Sequence, residues 1–376
     1  MYADELLTPW LHCLLDERPG LDVVDFHNHV GDRDPSGFTA TLDELTGSLK
    51  LFGGHAVVFP LADPDGYGEA NLRCAEAVAE HETLLAAFAR LTPGDAPGRR
   101  LEEALAAGAA GVKLHPAGDE FDVADPRLGV VWERTDADRL PVLVHAGPEL
   151  VGVGETALAL CHRHPGMRMV LAHCALTDLA WIGRHVEDTP NLFFDTSWWG
   201  SAVLMALLRT VPPGRVLGAA DLPYSTPVSS ALTALRCATQ AGLTDDQVAS
   251  VLGGQARRLL ARADPLELGP VPSPTEEARP VSPVLEVLAA ALLTALEPLQ
   301  RGEPAGVPLT VARHFCKVPT DHPDADVVGS VARLLDLYEQ HHERIEPRNQ
   351  FAPGWDLVSA AAIVARTPAA AVPAPG

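Results

Sequence analysis

The run VVDFHNHVG, residues 23–31, places two histidines, His27 and His29, one residue apart at the end of an apolar stretch. Val23, Val24 and Phe26 favour extended backbone, and Gly31 with Asp32 interrupts it, so the run predicts a short buried strand. Side chains two apart on a strand share a face, so both imidazoles would project together from its C-terminal end. Two imidazoles on one face supply half of a tetrahedral shell for zinc or a similar divalent ion. Spacing alone does not separate ligands from mere neighbours. His162 and His164 share it, but they follow an Ala/Leu-rich helical stretch and precede Pro165. There, positions i and i+2 do not face one another, and that pair reads as a solvated helix end.

Seven more apolar runs follow: HAVVFP (55–60), LLAAFARLTP (84–93), AGVKLHP (110–116), PVLVHAG (141–147), MRMVLAHCA (167–175), NLFFDTS (191–197) and GRVLGAADLP (214–223). Stretches with helical spacing, such as 70–81, 101–108 and 201–208, separate them. Alternating strands and helices favour a parallel sheet. Eight such units ending near residue 262 predict a (β/α)8 TIM barrel, whose usual length is about 250 residues. An open doubly wound sheet is the alternative, but no GxGxxG opens a helix after the first strand.

Barrel chemistry sits at the C-terminal ends of the strands. There the sequence places His27, His29, Lys113, His115, His145, His173, Asp195 and Asp221. This convergence marks His27, His29, His145 and Asp221 as candidate ligands of a divalent metal. Asp25, two residues before His27, would face the same way but deeper, where a carboxylate can accept a ligand histidine's other N–H. Arg90 ends the third strand and can bind a substrate carboxylate or form a rim salt bridge. Trp198 and Trp199 follow the seventh strand, to stack on a planar substrate or to bury against a helix.

Acidic residues outnumber basic ones, 50 to 28, for a formal net charge of −22. Such a surface argues against nucleic acid or an anionic membrane as partner. The six cysteines are scattered without a CxxC pair, as expected in a reducing compartment. Residues 1–20 lack a basic n-region and a long apolar run, and they predict an amphipathic helix in a cytoplasmic protein.

The ordered set DFHNHVG, GVKLHP, VLVHAG, LAHCA, LFFDTS and RVLGAADLPYS resembles the amidohydrolase superfamily. Within it, the wording is similar to the group that includes aminocarboxymuconate-semialdehyde decarboxylase-like enzymes. FARLTP and VLGGQARRLL add to the resemblance, which spans about residues 20–262. It implies one divalent metal, usually zinc, on His27, His29, His145 and Asp221, with His173 acting on substrate or orienting water. Asp221 would move a proton between water and leaving group. In two-metal relatives the fourth-strand lysine is carboxylated and bridges the ions; a binuclear site with carboxylated Lys113 is that variant. The one-metal form leaves Lys113 near substrate, and His115 as ligand, neighbour or structural residue. One departure stands out: Ala219-Ala220-Asp221 replaces the usual Gly-Ser-Asp, so a nearby hydroxyl is missing.

The leading expectation is a metal-dependent hydrolase of a C–N or C–O bond in a small amide, cyclic imide or lactone. A nonoxidative decarboxylase of an unsaturated or aromatic acid is the alternative, since the same ligands can run it. An inactive barrel serving as scaffold is the third reading.

The barrel should occupy 1–263, a Pro-rich linker 264–283, a helical segment 284–366 and a disordered tail 367–376. The periodic stretches 284–299 and 324–347 need a partner for their apolar stripes: packing over or beside the barrel mouth first, a second copy in a homodimer next. His314, Cys316 and His322 fit no zinc spacing.

Overall fold

The computed structural model describes residues 3–273 and 279–374; the linker residues 274–278 and tail residues 375–376 lie outside the described residues. A single parallel sheet contains β1 (Val24–Asp25), β2 (His29–Val30), β3 (His55–Pro60), β4 (Leu84–Arg90), β5 (Gly111–Leu114), β6 (Pro141–Val144), β7 (Arg168–Leu171), β8 (Leu192–Asp195) and β9 (Val216–Leu217). The order is β1-β3-β4-β5-β6-β7-β8-β9, with β2 also beside β3. β1 and β2 are two pieces of one barrel strand, so the expected eight-stranded barrel is what forms. First and last strands meet through Phe26 N–H to Gly218 O (2.9 Å), Asp221 N–H to His27 O (2.7 Å) and His29 N–H to Leu222 O (2.9 Å).

The strands read as unbroken apolar runs because both faces are buried. Along β3, Val57 and Phe59 point into the barrel, while Ala56 and Val58 pack outward under the helices. Phe26, Phe59, Phe88 and Phe193 fill the interior, with Phe26 edge-on to Phe88 at 5.3 Å. This apolar plug forms the floor on which the polar strand ends stand.

Among the described residues four helices follow the barrel: Pro283–Gln300, Gly306–Phe315, Ala325–His341 and Trp355–Arg366. Pro283–Gln300 buries Leu285, Leu288, Leu292, Leu296 and Leu299, one stripe, against Trp355–Arg366. Among the described residues it is the one helix long and apolar enough to cross a membrane, and here that stripe is core. Trp355–Arg366 is buried on nearly every side because it also packs on the barrel helices Ser201–Thr210 and Pro227–Ala241. The stripes are therefore covered within the chain on the barrel's flank, while Gln300 and Phe351 of the same segment reach the cavity beside its mouth.

The tail differs from the expected disorder over 367–374. Arg236, fully buried, donates to Thr367 Oγ1 (2.8 Å) and to the carbonyls of Thr367 (2.9 Å), Ala370 (3.3 Å) and Ala371 (2.7 Å). One guanidinium thus satisfies a segment whose Ala/Pro composition carries no periodic signal.

A buried acid links the chain's two ends. Asp356 Oδ2 accepts from Ala3 N–H at 2.7 Å, and nearby Asp4 accepts from Thr226 Oγ1 at 2.6 Å. Burial, then the charge of Asp4, pushes the Asp356 carboxyl up to about 7. A folded-state pKa above the unfolded value means that stability is full at low pH and is lost as pH rises through about 7. Asp356→Asn is expected to melt with the parent near about pH 4 and several degrees above it at about pH 8. Coincident melting curves at the higher pH would refute this.

Candidate metal centre

A bulge aims the histidines. Asp25 pairs with Ala56 and His29 with Phe59, so four steps along the first strand face three along β3. The extra residue breaks the ladder over 26–28 and reverses the side-chain alternation. Val24 and Phe26 therefore point into the barrel, and His27 and His29 do so as well, one layer above. Asp25 is not on their face. Its Oδ1 accepts Ala220 N–H (2.9 Å) and His27 N–H (3.2 Å), which ties the first strand to the backbone carrying Asp221. Burial raises the Asp25 carboxyl to about 7.

The partner of the His27 ring is Asp195, whose Oδ2 lies 2.8 Å from His27 Nδ1. Asp195 Oδ1 accepts from His173 N–H (2.9 Å), Ser197 N–H (3.0 Å) and Ser197 Oγ (2.5 Å). Burial works to raise this carboxyl, but the hydrogen bond and charge of His27 hold it below the usual carboxylate range. On the other ring, His29 Nδ1 donates to Pro60 O at 3.1 Å.

With both Nδ1 atoms engaged, both Nε2 atoms turn toward Asp221. His27 Nε2 and His29 Nε2 are 3.3 Å apart, and Asp221 Oδ1 is 3.0 Å from the first and 3.4 Å from the second. A tetrahedral shell with bonds of about 2.05 Å has edges of about 3.3 Å, so this triangle matches one of its faces. Burial and Lys113 disfavour a second proton on His27, but Asp221 and Asp195 prevail and raise its pKa, so the pocket favours a positive charge. Burial keeps His29 neutral, its pKa pushed well down. Among the described residues these three form the group able to hold a metal ion, and their donor set fits a divalent cation.

The other expected residues lie around this triangle. Lys113 Nζ is 2.8 Å from His27 Nε2, and burial lowers its amine to about 7. His145 stands one step off: its Nδ1 is 3.0 Å from His173 Nε2, and its Nε2 meets Glu149 Oε1. Burial brings His145 down to about 4, and the hydrogen bond to His145 holds Glu149 at about 2. His173 donates Nδ1–H to Ser197 O (2.8 Å), and its Nε2 is 4.0 Å from Asp221 Oδ2. His115 stacks on His145 with centroids 3.9 Å apart. Arg90 is buried and engages both oxygens of Asp119 (3.1 and 3.0 Å) and Pro60 O (3.3 Å), the rim-pair reading turned inward.

His173, Cys174, Ala175 and Asp221 all hold positive φ, 55°, 60°, 48° and 67°. Such strain in non-glycine residues persists only where the surroundings enforce it, here the Asp195 bonds and the closing strands. A cavity of about 350 Å3 opens above the triangle. Trp198 and Trp199 line it half-buried, stacked on one another with ring centroids 5.8 Å apart. The strand-end pattern marks Asp195 without its partners, and Ser197, Glu149 and Asp119 emerge only from the structure. The tetrad FDTS, which ends β8 and runs just past it, holds a signal for Asp195 and Ser197: a carboxylate two residues before a hydroxyl can bridge neighbouring strand ends.

The sequence matches the amidohydrolase family profile over residues 24–262, more than half of the chain. No curated protein matches it. Among solved structures it is similar to 2,6-dihydroxybenzoate decarboxylase complexed with 2,6-dihydroxybenzoate (TM-score 0.53, 14% identity, 64% of this chain, 98% of that one). It is also similar to 5-carboxyvanillate decarboxylase from Sphingomonas paucimobilis (TM-score 0.48, 16% identity, 64% and 99%). A third is 4-oxalomesaconate hydratase from Rhodopseudomonas palustris (TM-score 0.49, 18% identity, 64% and 96%).

Proposed function

The chain belongs to the amidohydrolase family, and from that premise we propose that it is a metal-dependent hydrolase of a C–N or C–O bond in a small amide, cyclic imide or lactone. The His27–His29–Asp221 triangle, with both Nδ1 atoms committed elsewhere, supports the metal dependence in this reading. A nitrogen-rich set with one carboxylate suits zinc, and such an ion supplies Lewis-acid and water-activating chemistry when bound. His145 is the candidate fourth ligand.

Asp221 is the proton carrier. Burial opposes its ionisation, but the charge and hydrogen bond of His27 hold it well below the carboxylate range, an anion at neutral pH. It can accept a proton from the attacking water and deliver it to the leaving nitrogen or oxygen. His173, whose Nδ1–H is fixed on Ser197 O, has a lone pair left on Nε2, which stands 3.0 Å from His145 Nδ1 and 4.0 Å from Asp221 Oδ2 and can share in holding that water. The cavity's size limits the substrate to a small molecule. Six free cysteines suit a reducing cytoplasm.

The test is metal analysis of parent, His27→Ala and His145→Ala proteins, then assay of zinc-reloaded parent on neutral lactones, imides and amides. We expect about one zinc per parent chain and its loss from His27→Ala. Retention in His145→Ala would assign His145 to the His173 hydrogen bond alone. Carbon dioxide released from aromatic acids, with the neutral panel inert, would make the enzyme a decarboxylase. No metal uptake and no turnover would leave the scaffold reading.

A further inference from the structure

Two residues in the cavity wall come from outside the family match: Gln300 and Phe351. The turn that presents Phe351 is built for the purpose. Arg348 pairs with Glu44, and Gln350 Nε2 donates to Ser36 O at 2.7 Å. Asn349 clips Thr39 from both sides: its Oδ1 accepts Thr39 N–H (2.7 Å) and its Nδ2 donates to Thr39 O (2.9 Å). Ala352 N–H donates to Leu299 O (2.8 Å), which fixes the turn to the end of Pro283–Gln300 beside Gln300. Asn349 and Gln350 hold φ of 51° and 66°, two consecutive left-handed residues at a cost of about 1 kcal/mol or more each. Those side-chain bonds hold the strained turn against the loop that follows β2, at the barrel mouth. Phe38 in that loop lies 6.0 Å from the Phe351 ring and 4.8 Å from that of Tyr224, also a cavity residue.

The charge of the wall is as informative as its shape. Trp198, Trp199, Tyr224 and Phe351 all line the cavity, and among its described lining residues there is no lysine or arginine. Its carboxylates are Asp221 and Glu149. Arg90, the guanidinium nearest in the strand-end set, is tied to Asp119. Among the described lining residues no lysine or arginine stands ready to pair with an anion, whereas four aromatic side chains offer faces and edges to a flat group.

We propose that Phe351 and Gln300, supplied by the C-terminal segment, are specificity-determining residues that with Trp198 and Trp199 receive a planar, uncharged group of the substrate. This rests on the cavity above the His27–His29–Asp221 triangle being the substrate site. The rings exclude water from the flat group, and the Gln300 amide offers a neutral donor and acceptor. An anionic substituent at that end would lose hydration with no lysine or arginine among the described lining residues to replace it.

Three hydroxamates that grip metal identically separate the contributions: acetohydroxamate, benzohydroxamate and 4-carboxybenzohydroxamate, titrated into the zinc-loaded full chain by calorimetry. Benzohydroxamate is expected to bind about tenfold more tightly than acetohydroxamate, and the carboxylated analogue about tenfold more weakly than benzohydroxamate. In Phe351→Ala the benzo-to-aceto ratio should fall to about twofold, with Phe351→Leu between parent and alanine variant. Absence of the ring preference in the parent, a preference for the carboxylated ligand, or an undiminished ratio in Phe351→Ala overturns the proposal. Failure of acetohydroxamate itself to bind sinks the metal reading instead. Quenching of tryptophan fluorescence by 4-nitrobenzamide then reads the wall alone: saturable in the parent and lost in Phe351→Ala sustains it, and unsaturable quenching in the parent overturns it.

Discussion

Asp221→Asn is expected to lower turnover by about three orders of magnitude or more while the barrel stays folded. The carboxylate sits where three demands meet. One oxygen faces both imidazoles at 3.0 and 3.4 Å, and the other faces His173 at 4.0 Å. An amide keeps the shape but cannot take up a proton at neutral pH, and it neutralises less of a bound cation's charge. The backbone gives no reason for misfolding, because asparagine tolerates the left-handed φ of 67° better than most residues. Circular dichroism and metal analysis should show a native barrel with weakened zinc retention, and steady-state assay on a responsive substrate should show the rate loss. A folded, zinc-replete asparagine variant with parental rate would remove Asp221 from proton transfer and from the proposed mechanism.

Why Asp221 was visible in the sequence, and Asp195's role was not, is a matter of geometry. The strand pattern is local, and it is legible: HAVVFP is β3 to the residue, and β4 is the first part of LLAAFARLTP, ending at Arg90. Strand ends then follow from the barrel rule, and this located His27, His29, Lys113, His173 and Asp221. The bulge between β1 and β2 is not local. It is set by the register against β3 and by the bonds from Phe26 and His29 to the last strand. Simple alternation therefore put Asp25 beside the His27 ring, whereas the reversed parity gives that ring to Asp195, 168 positions away in sequence. The same holds for Glu149 and Phe351, which lie in turns where no period exists. Their placement depends on His145 and on the Asn349–Thr39 clip.

The C-terminal segment should prove inseparable from the barrel. Truncation after Ala263 is expected to give an insoluble or unfolded chain, because the segment covers apolar surface the barrel cannot cover alone. Pro227–Ala241 is buried along almost its whole length, including Val228, Leu232 and Leu235 toward the core and Arg236 toward the tail. Without the tail, a buried guanidinium loses Thr367, Ala370 and Ala371 as acceptors. Burial lowers the Arg236 pKa only to about 10, so it stays charged at neutral pH and its stranding would be costly. A milder variant separates this contact from the apolar burial. Arg236→Ala leaves the helices in place but unpairs the tail carbonyls, and it should reduce unfolding free energy by about 3 kcal/mol, read as a lower urea midpoint. Parental stability in that variant would confine the anchoring to the leucine stripes. A soluble truncated chain with the parental melting temperature would show instead that the barrel folds without its appendix, and the wall formed by Phe351 would then be a removable part rather than a built-in one.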